Sequence, residues 1–258
     1  MRNLFLLLLL YSLLISCDPY VNPLNRETSS NEILIYSGMT MADAIFELKD
    51  KFESANDCEV KVMYGASGYL QKVIEVNRKG DIFFPGNISY LNKFKENRLI
   101  TRVSNIGYNS LAFFVAKDNP LALSGELDQL IDPRLKIVMG SAEAGSVGEE
   151  TVKLLKSSGL YDKVLENTRS FTTDSKGLAI SLRSGEADLV VNWRAVGYTK
   201  KNHPYMTKID INSDKVVKVP IAMGLLKYSV DSVCANEFLD FAESAFGRRI
   251  FQRYGFID

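Results

Sequence analysis

The chain has 258 residues, which suffice for one large domain or for two lobes of ordinary size. Its composition is that of a globular protein, with 46% hydrophobic and 24% charged residues. Because 31 basic residues balance 31 acidic ones, we predict neither a nucleic-acid-binding protein nor a disordered acidic effector.

The first seventeen residues have the pattern of an export signal. Arg2 supplies an early positive charge, residues 4–16 form an apolar run, and Cys17 follows. Thirteen mostly apolar residues are too few to span a bilayer, which takes about 20 residues of helix. We therefore predict a signal peptide over residues 1–16. The alternative is a buried N-terminal helix.

The motif LISC at residues 14–17 resembles the lipobox of bacterial lipoproteins, in which the cysteine becomes the lipidated first residue. The segment at residues 17–31 contains two prolines and few apolar residues, which favours a tether. We expect an exported protein that is anchored to a membrane through Cys17. It would lie in the periplasm or at the outer face of the cytoplasmic membrane.

Three strand–loop–helix units follow the tether. Short apolar runs rich in β-branched residues alternate with segments whose apolar residues recur at helical spacing. This order indicates a parallel sheet with helices on its faces. The predicted strands lie at 32–36, 58–64 and 81–86, and the predicted helices lie at 41–55, 70–77 and 88–100.

The rest of the chain contains two longer apolar strands, at 110–117 and 216–226. We predict that these strands cross between two lobes of an α/β fold, each with a mixed or parallel sheet. Lobe 1 takes residues 32–107 and 219–258, and lobe 2 takes 108–218. The ligand site is expected in the cleft at the carboxyl ends of the strands. The other predicted elements are strands at 136–140, 169–173 and 188–193, a short helix and loop at 127–135, helices at 148–159 and 174–187, and the last helices over 232–254.

The stretch GASG at residues 65–68 places small residues and a single hydroxyl directly before a predicted helix. A helix N-terminus presents unpaired N–H groups and about half a positive charge. Glycines allow a ligand to approach this backbone closely. Ser67 and its neighbours therefore form a candidate anion site that needs no cationic side chain.

Three further helix entrances have the same character. Thr40 lies in SGMT, Val147 in AEAGSVG and Ser175 in TTDSKG, each just before a predicted helix. Together with Ser67 they give two entrances per lobe, although Val147 can offer only its backbone amide. For each entrance taken alone, helix capping is the alternative, because Ser, Thr and Asp are preferred caps.

The residues give little support for catalysis or for a metal site. His203 is the single histidine and lies in a loop-like segment, and no cluster of Cys and His suits zinc. No P-loop or nucleophile elbow is found. We therefore predict a binding protein without catalytic residues, cofactor or bound metal cation. Glu149 and Glu150 suit the first turn of a helix, and we expect them to face solvent.

Cys58 and Cys234 remain once the signal peptide and the lipidated Cys17 are set aside. An exported protein with two such cysteines can form one disulfide. Nothing in the sequence places the two residues near each other. A disulfide and two unpaired, buried thiols therefore both stay open.

Across the helix entrances and strands described above, the chain resembles the periplasmic molybdate-binding proteins of ABC importers, within the class II solute-binding superfamily. The resemblance runs from about residue 33 to residue 257. The order and spacing of several motifs carry it, rather than any single one. The motifs are YSGMTMADAI at 36–45, YGASGYLQKVIE at 64–75, GDIFFPGNISYLNK at 80–93, GSAEAGSVGEETVKLL at 140–155, RSGEADLVVNW at 183–193 and IFQRYGF at 250–256.

The resemblance implies a set of oxyanion-binding residues. Thr40 and Ser67 stand at serine positions of the family, Val147 at its backbone-amide position, and Trp193 where the family has a tyrosine. An indole donates one N–H and accepts nothing. Either Trp193 points at the anion, or it packs at the strand end and Asn192 or a backbone amide replaces the lost donor.

The resemblance further implies a receptor that delivers molybdate or tungstate to the permease and ATPase of an ABC importer, by closure of two lobes around the ligand. We expect it to act as a monomer and not to bind nucleic acid. One alternative is a receptor for sulfate, thiosulfate or another small anionic solute. Others are an exported enzyme on the same fold and a receptor that signals to a membrane partner.

Overall fold

Two five-stranded sheets flanked by helices make up residues 31–257, the part of the chain that the computed structural model describes. The predicted signal peptide at 1–16, the lipidation at Cys17 and the tether at 17–31 lie outside these residues, apart from Asn31. No helix within the described range is both long and apolar enough to cross a membrane.

The strands are β1 (Glu32–Gly38), β2 (Glu59–Gly65), β3 (Ile82–Phe84), β4 (Ile100–Asn109), β5 (Leu111–Ala116), β6 (Ile137–Gly140), β7 (Thr168–Thr172), β8 (Leu189–Trp193), β9 (Met206–Ile209) and β10 (Val219–Leu226). The helices are α1 (Ala42–Glu53), α2 (Ser67–Asn77), α3 (Ser89–Glu96), α4 (Ser146–Ser157), α5 (Tyr161–Asn167), α6 (Ser175–Arg183), α7 (Ser232–Glu243) and α8 (Ala245–Arg253).

The two sheets have the same plan. The first has the strand order β2-β1-β3-β10-β4, and the second has the order β7-β6-β8-β5-β9. In each sheet the first three strands pair in parallel, and the remaining pairs are antiparallel. Helices connect the parallel strands, as such crossovers require. This arrangement confirms the predicted two-lobed α/β fold with a mixed sheet in each lobe.

The chain passes between the sheets at two adjacent points. β4 ends at Asn109 in the first sheet, and β5 begins at Leu111 in the second. The return leads from β9 to β10, whose first residue, Val219, pairs with Asn109. We call the elements of the first sheet lobe 1 (β1–β4, β10, α1–α3, α7 and α8). Those of the second sheet are lobe 2 (β5–β9 and α4–α6).

Each lobe has an apolar core of its own. In β1, Ile33 and Ile35 belong to one core cluster of lobe 1, whereas Leu34 and Tyr36 face another. Side chains alternate between the two faces of a strand, so this strand is covered on both sides. In lobe 2, residues 111–115 are buried in a separate core. The cleft between the lobes can therefore open without exposing either core.

Cys58 and Cys234 form a disulfide in lobe 1, with their Cα atoms 6.3 Å apart. Cys58 immediately precedes β2, and Cys234 lies in the first turn of α7, so the bridge joins elements 176 residues apart in sequence. Of the two open alternatives, the structure has the disulfide. The bridge can form because the last helices of the chain return to lobe 1 and bring Cys234 close to Cys58. A bridge across a long loop restricts the unfolded chain and adds about 2–4 kcal/mol to the free energy of unfolding.

Two predicted helices, at 88–100 and at 174–187, end earlier than their apolar patterns indicate, the second of them at Arg183. The helix predicted at 88–100 ends at Glu96, because Arg98 has a left-handed φ of 55° and the chain then enters β4. The last helices, predicted over 232–254, are α7 and α8, which are separated at Ser244. The hydroxyl of this serine accepts the Gly247 amide at 3.1 Å and thereby caps α8 as a separate helix.

Sequence patterns did not indicate β4, α5 or β9. Only three of the ten residues of β4 and one of the four residues of β9 are buried, so neither strand has a continuous apolar run. The short helix predicted within 127–135 is a 3₁₀ turn, Leu127–Ile131, and the predicted loop follows it. This turn and α5 have only five and seven residues, too few for a helical periodicity to be recognised in the sequence.

Candidate functional site

The five residues predicted to bind an oxyanion meet at one site between the lobes. Thr40, Ser67, Val147, Ser175 and Trp193 line the same small cavity. Thr40 lies in a short 3₁₀ turn, Met39–Met41, and the other four lie on α2, α4, α6 and β8. We call this cavity the inner site. Its remaining lining residues are Gly38, Met39, Gly65, Ala66, Gly86, Gly145, Ser146, Thr173 and Asp174.

The inner site lies where the parallel strands of both sheets end. Strand β1 ends at Gly38, β2 at Gly65 and β8 at Trp193, and all three residues line the site. Thr173 follows the last residue of β7. In open α/β sheets ligands bind outside the carboxyl ends of the strands, and this site has that position.

The serines at the helix entrances do not cap their helices. Ala66 occupies the N-cap position of α2, and this helix has no side-chain cap. In α6 the cap is Asp174, whose carboxylate accepts the Gly177 amide at 2.9 Å. The capping alternative is therefore wrong for Ser67 and Ser175, and their hydroxyls are left for other partners.

Hydroxyls from opposite lobes face each other across the inner site. Thr40 Oγ1 donates to Ser175 Oγ at 2.8 Å, and Ser67 Oγ lies 3.5 Å from Ser146 Oγ. The enclosed space is about 10 Å³, which is about the room of one water molecule. The lobes are thus closed on each other, and an anion can enter only when they separate.

Trp193 and Asn192 point to opposite sides of β8. The Asn192 side chain is fully buried; its Nδ2 donates to the Ser175 carbonyl at 2.9 Å, and its Oδ1 accepts the Trp193 amide at 2.8 Å. Trp193 instead lines the inner site. A Cβ at Gly86 would lie 2.4 Å from Ser146 Oγ and 3.6 Å from the indole nitrogen. The indole therefore borders the site and also packs in the lobe 2 core, whereas Asn192 positions the loop that carries Ser175.

Ser146 is a site residue that sequence reasoning missed. It is the first residue of α4, directly before Val147, and its hydroxyl is the one nearest to Ser67 Oγ across the cleft. The signal was present, because Ser67 and Ser175 also begin their helices. The backbone amide of Gly86, which donates to Ser67 Oγ at 3.0 Å, had no such signal.

Charges are almost absent from the inner site. No lysine or arginine of residues 31–257 lines it, and its single carboxylate belongs to Asp174, which caps α6. An anion there would be met by hydroxyls, by an indole N–H and by the N-termini of helices.

Glu149 and Glu150 do not face solvent as predicted. Only 12% of the Glu150 side chain is exposed, and its Oε2 accepts from Asn87 Nδ2 of lobe 1 at 3.3 Å. The pKa of Tyr90 on α3 is raised mainly by burial. The negative charge of Glu149 and a hydrogen bond to this carboxylate raise it further. Lys153 pairs with both carboxylates. The two glutamates face the other lobe because α4 begins at the cleft, so its first turn contacts α3.

The whole α/β part of the chain, residues 33–257, matches the family model described as bacterial extracellular solute-binding protein. The chain belongs to this family. A binding protein of Haemophilus influenzae is 20% identical over 228 residues, which are 88% of this chain and 91% of that one. The ABC transporter substrate-binding lipoprotein YvgL of Bacillus subtilis is 23% identical over 245 residues, or 90% of each chain.

Solved structures share the fold of this solute-binding protein. The periplasmic molybdate-binding protein of Azotobacter vinelandii has a TM-score of 0.78 at 14% identity, over 88% of this chain and 99% of that one. The substrate-binding domain of a Clostridium difficile molybdenum ABC transporter has a TM-score of 0.64 at 22% identity, over 87% and 97%. PEB3 bound to L-phospholactate has a TM-score of 0.69 at 17% identity, over 88% and 99%. The fold therefore serves binding proteins for different ligands.

No group of three or more His, Cys, Asp or Glu side chains within residues 31–257 is placed to hold a metal ion. His203 is exposed and is not a lining residue of the inner site. The hydroxyls of this solute-binding protein thus have no histidine beside them to act as a base.

Proposed function

We propose that this solute-binding protein binds a tetrahedral oxyanion, molybdate or tungstate, between its lobes and delivers it to an ABC importer without any chemistry. The observation that carries the proposal is the convergence of hydroxyls and helix N-termini from both lobes on one enclosed site without a cation. Such neutral donors stabilise an anion through directed hydrogen bonds, and lobe closure places donors on both sides of it.

The number of available donors matches what a dianion needs. Thr40, Ser67, Ser146 and Ser175 offer hydroxyls, Trp193 offers its indole N–H, and Val147 offers a backbone amide. Each hydrogen bond to a charged group contributes about 1.5–3 kcal/mol net. Several such bonds together offset the desolvation of a dianion. The hydrogen bonds that now join the lobes would be exchanged for bonds to the anion.

Sulfate, thiosulfate or another small anionic solute is the second candidate, because it would use the same donors. A sulfate-binding protein of Mycobacterium tuberculosis shares this fold, with a TM-score of 0.72 at 11% identity, over 87% of this chain and 86% of that one. Sulfate is smaller than molybdate at equal charge, so the radius of the closed site would decide between them. An exported enzyme is the less favoured alternative, because no histidine lies beside the hydroxyls of the inner site and its one carboxylate, Asp174, caps α6.

The proposed partners are the permease and ATPase of an importer, and the proposed location is the outer face of a membrane with a lipid anchor at Cys17. We propose a monomer, because one chain supplies both walls of the site.

Cys17→Ser should release the protein from the membrane fraction. Unchanged fractionation with an uncleaved N-terminus would contradict the anchor.

Thermal unfolding in a panel of oxyanions tests the proposed ligand. A ligand at 100 times its Kd that binds only the folded state adds about 2.7 kcal/mol to the free energy of unfolding. Molybdate or tungstate should raise the Tm of the domain over residues 18–258 more than sulfate does. No rise with any tetrahedral anion would overturn the oxyanion proposal.

A further inference from the structure

A second cavity, of about 180 Å³, continues the cleft beyond the inner site. The two cavities share Met39, Thr40 and Ser175, so they adjoin at the hydrogen bond between Thr40 and Ser175. A ligand that replaces this hydrogen bond can extend from the inner site into the second cavity. Lobe 1 contributes the start of α1, and lobe 2 contributes α6 and residues in the range 199–202. We call this space the outer cavity.

Charge distinguishes the outer cavity from the inner site. Lys176, Arg183 and Lys201 line it together with one carboxylate, Asp43, which gives a formal charge of 3 − 1 = +2. In the described part of the chain, none of these three cations forms an ion pair, and Arg183 lies over the Tyr205 ring at 5.6 Å. Positive charge that the protein leaves without a partner attracts an anionic group.

The sequence of α6 directs two of these cations at the cavity. Lys176, Ile180 and Arg183 are four and three residues apart, so they share one helix face, and all three line the cavity. Leu178 and Leu182 lie in the lobe 2 core. Lys176 stands in the first turn of the helix, where the helix dipole disfavours a cation. An anion in the cavity would stabilise a cation at this position.

We propose that the cleft takes an oxyanion with a short anionic substituent, namely a phosphate monoester that carries a carboxylate. The phosphate occupies the inner site, and the carboxylate lies in the outer cavity among the cations that line it, Lys176, Arg183 and Lys201. A guanidinium binds a carboxylate through two parallel hydrogen bonds, which fixes the orientation of the substituent. This inference rests on the proposed oxyanion site and extends its ligands beyond bare anions.

The volume of the outer cavity limits the substituent. Pockets for drug-sized ligands have about 300–1,000 Å³, and the outer cavity has about 180 Å³. The substituent therefore has only a few heavy atoms. A carboxymethyl group suits this space, so 2-phosphoglycolate is the probe that we choose.

Calorimetric titration of the mature protein with three ligands tests the proposal. Inorganic phosphate, methyl phosphate and 2-phosphoglycolate share the phosphate group, and only the last carries a second charge. We expect 2-phosphoglycolate to bind about tenfold more tightly than methyl phosphate, because two partly screened ion pairs are added. Equal affinity for these two ligands would overturn the inference and leave the oxyanion site standing.

Single-residue variants locate the second charge. Arg183→Gln and Lys201→Gln should each weaken 2-phosphoglycolate by about threefold to fivefold and change methyl phosphate by less than about twofold. Lys200→Gln is the matched control, since it removes the same charge one residue away from Lys201 and outside the cavity lining. It should leave both affinities unchanged.

Two outcomes separate the inference from the proposed function. If the Arg183 and Lys201 variants weaken both ligands equally, the cations act only by long-range attraction and the substituent site is wrong. If none of the three ligands binds, and molybdate, tungstate and sulfate do not bind either, the oxyanion site itself is wrong and the inference falls with it.

Discussion

The inner site offers hydroxyls, backbone amides and an indole from both lobes, whereas the adjoining outer cavity offers three cations and one carboxylate. In the inner site the donors lie at helix entrances and are mostly buried, so their positions are fixed. The affinity of an anion should therefore depend on its shape as much as on its charge. In the outer cavity the cations are solvent-exposed, and solvent and salt screen exposed charges. Affinity should therefore come mainly from the inner site, and choice among substituents from the outer cavity.

Ser67→Ala should have the largest effect. Removing one hydrogen bond to a buried charge costs about 1.5–3 kcal/mol, or about 10- to 150-fold in Kd. Because the inner site serves every ligand, calorimetry should show the same factor for molybdate and for 2-phosphoglycolate. The control is Ser184→Ala, whose hydroxyl is exposed and lies outside the site. An unchanged Kd for Ser67→Ala would show that this hydroxyl is structural. Ser175→Ala tests lobe 2 in the same way, with a smaller loss if only its backbone amide serves.

Gly68→Ala should hinder closure without touching a ligand. The Gly68 amide donates to the Ala144 carbonyl of lobe 2 at 3.1 Å, and an added Cβ would lie 2.8 Å from that oxygen. Overpacking costs about 1–3 kcal/mol, so Kd should rise about 5- to 150-fold for ligands of both regions. The control is Gly197→Ala, which lies outside both cavities and whose new Cβ meets only side chains of its own lobe, at 3.1 Å or more. If both variants lose equal affinity, local distortion rather than the opposite lobe is the cause.

Trp193→Phe separates the two roles of the indole. The change removes the N–H and keeps most of the ring, and loss of one hydrogen bond should raise Kd by about tenfold. Trp193 is the only tryptophan, so its emission reports on the inner site. Saturating molybdate should change the emission more than sulfate does, and closure should hide it from a soluble quencher. Unchanged emission with every anion, and an unchanged Kd in the variant, would leave the indole with packing alone.

Ionic strength should have the smallest effect and should act on one region only. Exposed ion pairs are worth about 0.2–1 kcal/mol, and the screening length falls from about 30 Å at 0.01 M to 3 Å at 1 M. Added NaCl should therefore remove much of the preference for 2-phosphoglycolate over methyl phosphate. The ratio of molybdate to sulfate affinity should stay within about twofold. A preference that survives 1 M NaCl would place the second charge in a more buried environment than the outer cavity.

Regular elements with strong periodicity could be predicted from the sequence. The alternation of strands and helices in the first hundred residues gave three parallel strands, and the apolar run before Trp193 gave a buried central strand. The edge strands β4 and β9 could not be predicted in this way. Few of their residues are buried, so their composition is mixed and their pattern weak.

The site was predictable where a residue type and a local position sufficed. Small residues and hydroxyls at helix entrances marked Thr40, Ser67 and Ser175, and the structure brings them together with Trp193. The position of Glu149 was not predictable, because the dipole of α4 favours a carboxylate there whether or not another lobe faces it. Only the contact between the lobes turns this carboxylate toward Tyr90.

The sequence by itself determined the two-lobed fold and the helix entrances, because periodicity, glycines and hydroxyls act within about ten residues of chain. The tertiary structure alone decided which distant residues meet. It paired Cys58 with Cys234, set Ser146 opposite Ser67, and joined the cations of α6 to Lys201 around one cavity. Such contacts depend on how the two lobes close and where the chain returns. No local pattern encodes them, since each partner would have the same local structure without the other.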